Sequence, residues 1–184
     1  MAYLNRRNPT PHTNSSQKNY SNTKYQGYKQ PYTNCYRGSQ NVQNDSEQLK
    51  DHGPYPYAVN IEKITKDNDA FRTTLWTGEH LQLTLMSLLP GEDIGLEIHE
   101  DVDQFIRIEE GSGIVMMGDD KDMPSFQQAV SADYAFIIPA GTWHNLVNVG
   151  STPLKLYSIY APPQHPFGTI HETKAIAEEA EDHH

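Results

Sequence analysis

Asp133-Tyr134-Ala135-Phe136-Ile137-Ile138-Pro139-Ala140-Gly141-Thr142-Trp143-His144-Asn145-Leu146-Val147-Asn148 is the stretch that decides how the rest of the chain is read. Tyr134–Ile138 is a short apolar block rich in aromatic and β-branched residues, which suits a strand better than a helix. Pro139-Ala140-Gly141 closes it with a tight turn. An extended run after that turn puts Thr142, His144, Leu146 and Asn148 on one face and Trp143, Asn145, Val147 and Val149 on the other. A histidine therefore stands just past a turn, at the rim of a sheet.

The same texture extends outward in both directions. Candidate strands are Val59–Ile64, Phe71–Thr77, Leu81–Leu89, Ile94–His99, Gln104–Glu109, Ile114–Met117, Phe126–Val130, Tyr134–Ile138, Trp143–Val149 and Leu154–Tyr160. Gly and Pro clusters separate them, among them Pro90-Gly91, Gly111-Ser112-Gly113 and Gly150-Ser151. Short strands at this spacing read as an all-β sandwich or barrel. A helical period appears only at the end, where Thr169 with Glu172 makes a capping-box pattern ahead of Lys174–Ala180. One short C-terminal helix is expected there, exposed on most faces because Ile176 is its only large apolar residue.

Upstream of the opening stretch stands its counterpart, Pro90-Gly91 followed by Glu97-x-His99-x4-Gln104-x6-Gly111. Glu97 and His99 are two apart, so on an extended strand they project to the same side. Together the two segments resemble the cupin superfamily, whose motifs are written G-x5-H-x-H-x3–4-E-x6-G and G-x5-P-x-G-x2-H-x3-N. The resemblance runs from about Ala58 to Pro162. The second motif matches at Pro139, Gly141, His144 and Asn148, with Asp133 in place of its leading Gly. The first departs twice, with Glu97 where the first His belongs and Gln104 where the Glu belongs.

The resemblance implies a cupin double-stranded β-helix, a jelly-roll barrel, holding one divalent transition metal. Its ligand positions fall on Glu97, His99, Gln104 and His144. Two imidazoles and one carboxylate with open positions suit Fe(II) or Mn(II) first, with Zn, Ni and Co also fitting. Gln104 is then either a carbonyl-oxygen ligand or a group that orients the others. Asp103 is its rival, and strand phase favours Gln104, which lies in register with Ile106 and Ile108. A metal-free pocket with Glu97 paired to a histidine is the alternative. His165 and His171 are read either as a lid over the barrel mouth or as ordinary loop residues.

The stretches Glu97 to His99, Asp103 to Arg107, Pro139 to Asn145 and Tyr160 to Thr169 are similar to small single-domain bacterial and archaeal cupins of the mannose-6-phosphate-isomerase-like type. That type implies an aldose–ketose shift, and a phosphorylated sugar needs cationic clamps. Arg72, Arg107, Lys121 and Lys155 are the candidates in the body. Three functional classes stay open, the third of them suggested by the Tyr-rich first 50 residues. One is a metal-dependent oxygenase or sugar isomerase acting on a small-molecule substrate. A second is a non-catalytic ligand-binding or metal-binding module. The third is a structural protein of a spore coat or surface layer. Cupins commonly pair, so a homodimer is implied as well.

Composition divides the chain of 184 residues, whose formal charge is −10. The first 50 residues carry seven Lys/Arg against two Asp/Glu, and the remainder carries seven against 22. The acidic body disfavours nucleic acid as a partner, since its field repels phosphates. Residues 1–50 hold eight Asn, six Gln and six Tyr with few aliphatic side chains, and are expected to be a disordered arm. The barrel is expected over 54–163 and an extension with the helix over 164–184. Cys35 is the only cysteine, which excludes an internal disulfide and zinc sites built from several thiolates. No apolar run approaches the length of a membrane span, and Arg6-Arg7 is followed by no hydrophobic segment. A cytoplasmic location is expected, or a spore coat if the arm is an assembly element.

Overall fold

The computed structural model describes residues 49–181, so the arm expected over 1–50, apart from its last two residues, and Cys35 lie outside the described residues. The elements run α1 (Ile61–Asp67), β1 (Arg72–Thr77), β2 (Gln82–Leu88), β3 (Asp103–Glu110), β4 (Ser112–Gly118), β5 (Phe126–Ser131), β6 (Ala135–Ile138), β7 (Trp143–Asn148), β8 (Leu154–Ala161), β9 (Ile170–His171) and α2 (Lys174–Glu181). They form two antiparallel sheets, ordered β6-β3-β8-β2-β1-β9 and β5-β4-β7, which make up the jelly roll.

The sheets close on a core that includes Met86, Leu88, Ile106, Ile108, Val115, Leu146, Leu154 and Leu156. The register shows how this interior is graded from one end to the other. Arg72 lies opposite Met86, Met86 opposite Leu156, and Leu156 opposite Ile108, a mostly apolar row. The next row reads Thr74, Thr84, Ser158, Ile106. The one beyond it reads Gln82, Tyr160, Gln104, Ile138. Alternation keeps all three rows on one face, so the interior turns from apolar to polar along the strands. The polar end is the mouth.

Three local expectations are corrected. Val59–Ile64 is not a strand: Asn60 caps α1 by accepting a 3.0 Å hydrogen bond from Lys63 N. Glu62–Lys66 and Lys63–Asp67 pairs then line the exposed side, and Ile64 packs with Leu75 and Leu85 on the outer face of the larger sheet. Ile94–His99 forms no ladder strand, because Gly95 at φ 95° breaks the extended run. Its backbone joins the smaller sheet through bridges Asp93–Val147 and Glu97–His144, and Ile94 shares the core with Val115 and Leu146. Finally, the N-cap of α2 is Thr173, whose Oγ1 accepts from Ile176 N, whereas Thr169 Oγ1 donates to Pro166 O. The helix docks through buried Ala177 and the Lys174–Asp93 ion pair, while Ile176 faces outward.

Candidate metal centre

His144 opens β7 at the mouth, opposite Met117 of β4. The turn before it requires Gly141 at φ 75°, a conformation that a Cβ disfavours. Gly141 N donates to His99 O at 2.8 Å, which ties this turn to the Glu97 segment. Two further backbone bonds complete the join, Glu97 N to His144 O at 3.1 Å and His144 N to Glu97 O at 2.9 Å. Stretches 47 residues apart are thereby held side by side with their side chains facing one point.

At that point Glu97, His99 and His144 each offer one ligand atom, and these atoms lie within 4.8 Å of one another. Glu97 Oε1 is 3.3 Å from His144 Nε2 and 3.4 Å from His99 Nε2. Two donors each about 2.1 Å from one ion, at angles between octahedral and tetrahedral, lie about 3.0–3.4 Å apart. The spacing therefore suits a shared cation.

The proton count leads to the same place. His144 Nδ1 is 2.9 Å from Thr142 O, and a carbonyl only accepts, so Nδ1 carries the hydrogen. In the neutral ring Nε2 is then a lone pair facing a carboxylate oxygen. Burial opposes ionisation of Glu97, but the hydrogen bonds and charges of His144 and His99 outweigh it and hold its pKa at about 2. Only a proton or a metal ion between the two groups makes that contact attractive. His99 Nε2 is buried, and its 3.4 Å approach to Glu97 Oε1 is its contact at the site, short of a well-formed hydrogen bond.

Gln104 points inward with Ile106 and Ile108, and Asp103 is exposed, its Oδ1 accepting from Ala140 N. Gln104 Nε2 donates to Ser158 Oγ at 2.9 Å, which leaves Oε1 buried without a partner among the described residues. Ser158 Oγ can donate as well as accept, so this contact holds the amide in place in either orientation.

Sequence reasoning weighed His165 and His171 as a lid, and both line the cavity of about 360 Å³ that Glu97 and His99 also line. It missed Tyr160, whose ring meets His99 edge-on at 5.8 Å and His165 at 5.1 Å. Alternation along β8, with Leu154, Leu156, Ser158 and Tyr160 all inward, was the signal that could have found it. Burial first, then the charge of Glu97, pushes the Tyr160 phenol up to about 12. Burial, then the Arg72 charge, lowers His165 to about 3, so both groups are neutral at pH 7. A larger hollow of about 580 Å³, among Tyr55, Trp76, Leu83 and Tyr157, lies elsewhere and is lined by none of these groups.

Comparison with known proteins adds the following. Residues 84–160 match the cupin domain. The chain is 67% identical over 134 residues to the uncharacterized protein YrkC of Bacillus subtilis strain 168, covering 73% of this chain and 72% of that one. It is 46% identical over 115 residues to the uncharacterized protein L612 of Acanthamoeba polyphaga mimivirus, covering 62% and 70%. Among solved structures, BH2720 from Bacillus halodurans is 66% identical with a TM-score of 0.71, over 71% of this chain and 99% of that one.

Proposed function

The chain belongs to the cupin superfamily, and from that premise we propose that it is a metal-dependent enzyme acting on a small molecule, its ion held by Glu97, His99 and His144 and completed by Gln104. The observation that carries this reading is the convergence of one carboxylate oxygen and two imidazole nitrogens within 4.8 Å of one another, with His144 Nδ1 held by the Thr142 carbonyl so that Nε2 faces Glu97. Fe(II) or Mn(II) fits the donor set best. A bound ion supplies a Lewis acid or redox centre for a substrate oxygen.

The protein's own part is positioning. The Thr142 carbonyl fixes the His144 ring, Ser158 fixes the Gln104 amide, and Glu97 stays anionic. Tyr160 presents a neutral phenol beside His99, and the apolar rows below the mouth exclude water.

Oxygenase chemistry is favoured over isomerisation of a sugar phosphate. Among the described residues no Lys or Arg lines the cavity; Arg72, whose charge acts on His165, is buried with its guanidinium over the Phe71 ring. Arg107 is engaged with Asp133 and Glu109, Lys155 with Asn68 and Asp69, and Lys121 lies over Trp143. The test is elemental analysis of protein purified without an affinity metal column. Near-stoichiometric iron or manganese is expected, falling at least tenfold in His99→Ala and His144→Ala. Equal metal content in these variants and the parent overturns the assignment.

A further inference from the structure

His165 is carried by a strap that is pinned at both ends. Gln82, itself fully buried, accepts from His165 N at 2.9 Å and Gln164 N at 3.3 Å, and its Nε2 donates to His165 O at 2.8 Å. Further along, Thr169 O accepts from Thr74 N and Oγ1, and β9 pairs with β1. The ring is therefore placed by the sheet rather than left to a free loop.

Its Nε2 is nevertheless buried with no hydrogen-bond partner among the described residues, in the cavity that Glu97 and His99 share. An unpaired buried polar atom is costly and calls for an explanation, and at a cavity wall a ligand atom supplies one. Charge narrows the ligand. Glu97 is the only carboxylate among the described residues lining the cavity, and no Lys or Arg lines it. With a divalent ion in place the lining carries one positive charge, which a monoanion balances, and the Arg72 charge that reaches His165 from outside the lining adds to the preference for an anion. The volume of about 360 Å³ is near the lower end of ligand pockets, so that monoanion is small.

We propose that His165 is a ligand-binding residue, its Nε2–H donating a hydrogen bond to an oxygen of a small monocarboxylate seated on the metal. This assignment rests on the metal reading above. The Nε2–H tautomer makes a charge-assisted bond to a carboxylate and a weaker one to a neutral amide or alcohol.

The experiment loads the full chain with Co(II) and follows acetate, pyruvate, acetamide and glycerol by calorimetry and by the cobalt visible spectrum. His165→Ala is expected to bind cobalt within threefold of the parent and to bind acetate and pyruvate at least tenfold more weakly. His165→Gln, which keeps an N–H donor, is expected to recover most of that loss. Where His165→Ala fails to fold, His165→Leu fills the same space without a donor and takes its place. Carboxylate affinity unchanged in His165→Ala or His165→Leu, with cobalt bound, overturns this assignment alone. Acetamide or glycerol binding as tightly as acetate overturns the monocarboxylate class. A parent chain that takes up no cobalt overturns the metal reading, and this assignment with it.

Discussion

Asp133 occupies the left-handed region at φ 71° where the family motif has Gly, and it is the only non-glycine residue to do so among those described. Asp tolerates that conformation better than most side chains. Its Oδ1 also accepts from Arg107 at 2.9 Å, across a pair that is largely exposed. Exposed pairs contribute about 0–1 kcal/mol, and relief of backbone strain is of similar size. Asp133→Gly is therefore expected to change stability by no more than about 1 kcal/mol in urea unfolding. Asp133→Val, β-branched at a positive φ, is expected to cost about 2 kcal/mol. Equal stability of the two variants would show that the turn imposes no such constraint.

At the scale of elements, β7 carries His144, the proposed ligand, at one end and a structural clamp at the other. Asn148 Nδ2 donates to Leu88 O and to Thr152 O, both at 2.9 Å, and its Oδ1 accepts from Gly150 N at 2.9 Å. It thus binds the end of β2 to the β7–β8 turn. Truncation leaves two carbonyls and an amide without partners, in a position 1% exposed. Asn148→Ala is expected to destabilise by about 2–4 kcal/mol in denaturant unfolding while the folded protein keeps its metal stoichiometry. Loss of metal from a stable Asn148→Ala protein would contradict this division of β7. Among elements, alternation was the reliable guide, and it placed Gln104, Ile106 and Ile108 inward. It failed for Val59–Ile64, where a four-residue side-chain spacing and an Asn cap override β-branched composition. It failed again at Ile94–His99, where one glycine breaks the ladder.

For the molecule as a whole, the groups gathered at the mouth set a pH window for the metal-free protein. His165 is lowered from 6.5 to about 3, so below 6.5 the unfolded chain binds a proton that the folded one refuses. Glu97, lowered from 4.5 to about 2, acts in the same direction below 4.5. Stability from both is present at neutral pH and is lost as pH falls. Tyr160, raised from 10.0 to about 12, stays neutral in the folded state while the unfolded chain ionises, so stability is also lost as pH rises through that interval. Thermal unfolding of metal-free protein is expected to show a plateau between about pH 6.5 and 10, with Tm lower by roughly 5 °C at pH 5 than at pH 7. His165→Gln should flatten the first part of the acid limb. A Tm that rises between pH 7 and pH 5 would contradict this burial of His165.

The residues alone determined the strand-rich class, the inward face of most strands and the identity of two imidazoles and a carboxylate, because side-chain alternation and turn chemistry are local properties. Only the tertiary structure decided that Glu97 and His144 pair through reciprocal backbone bonds, that Gln104 is held by Ser158, and that the strap from Gln164 to His171 roofs the same cavity. Those relations join segments between 47 and 83 positions apart, and they depend on how two sheets close around one core rather than on any periodicity along the chain.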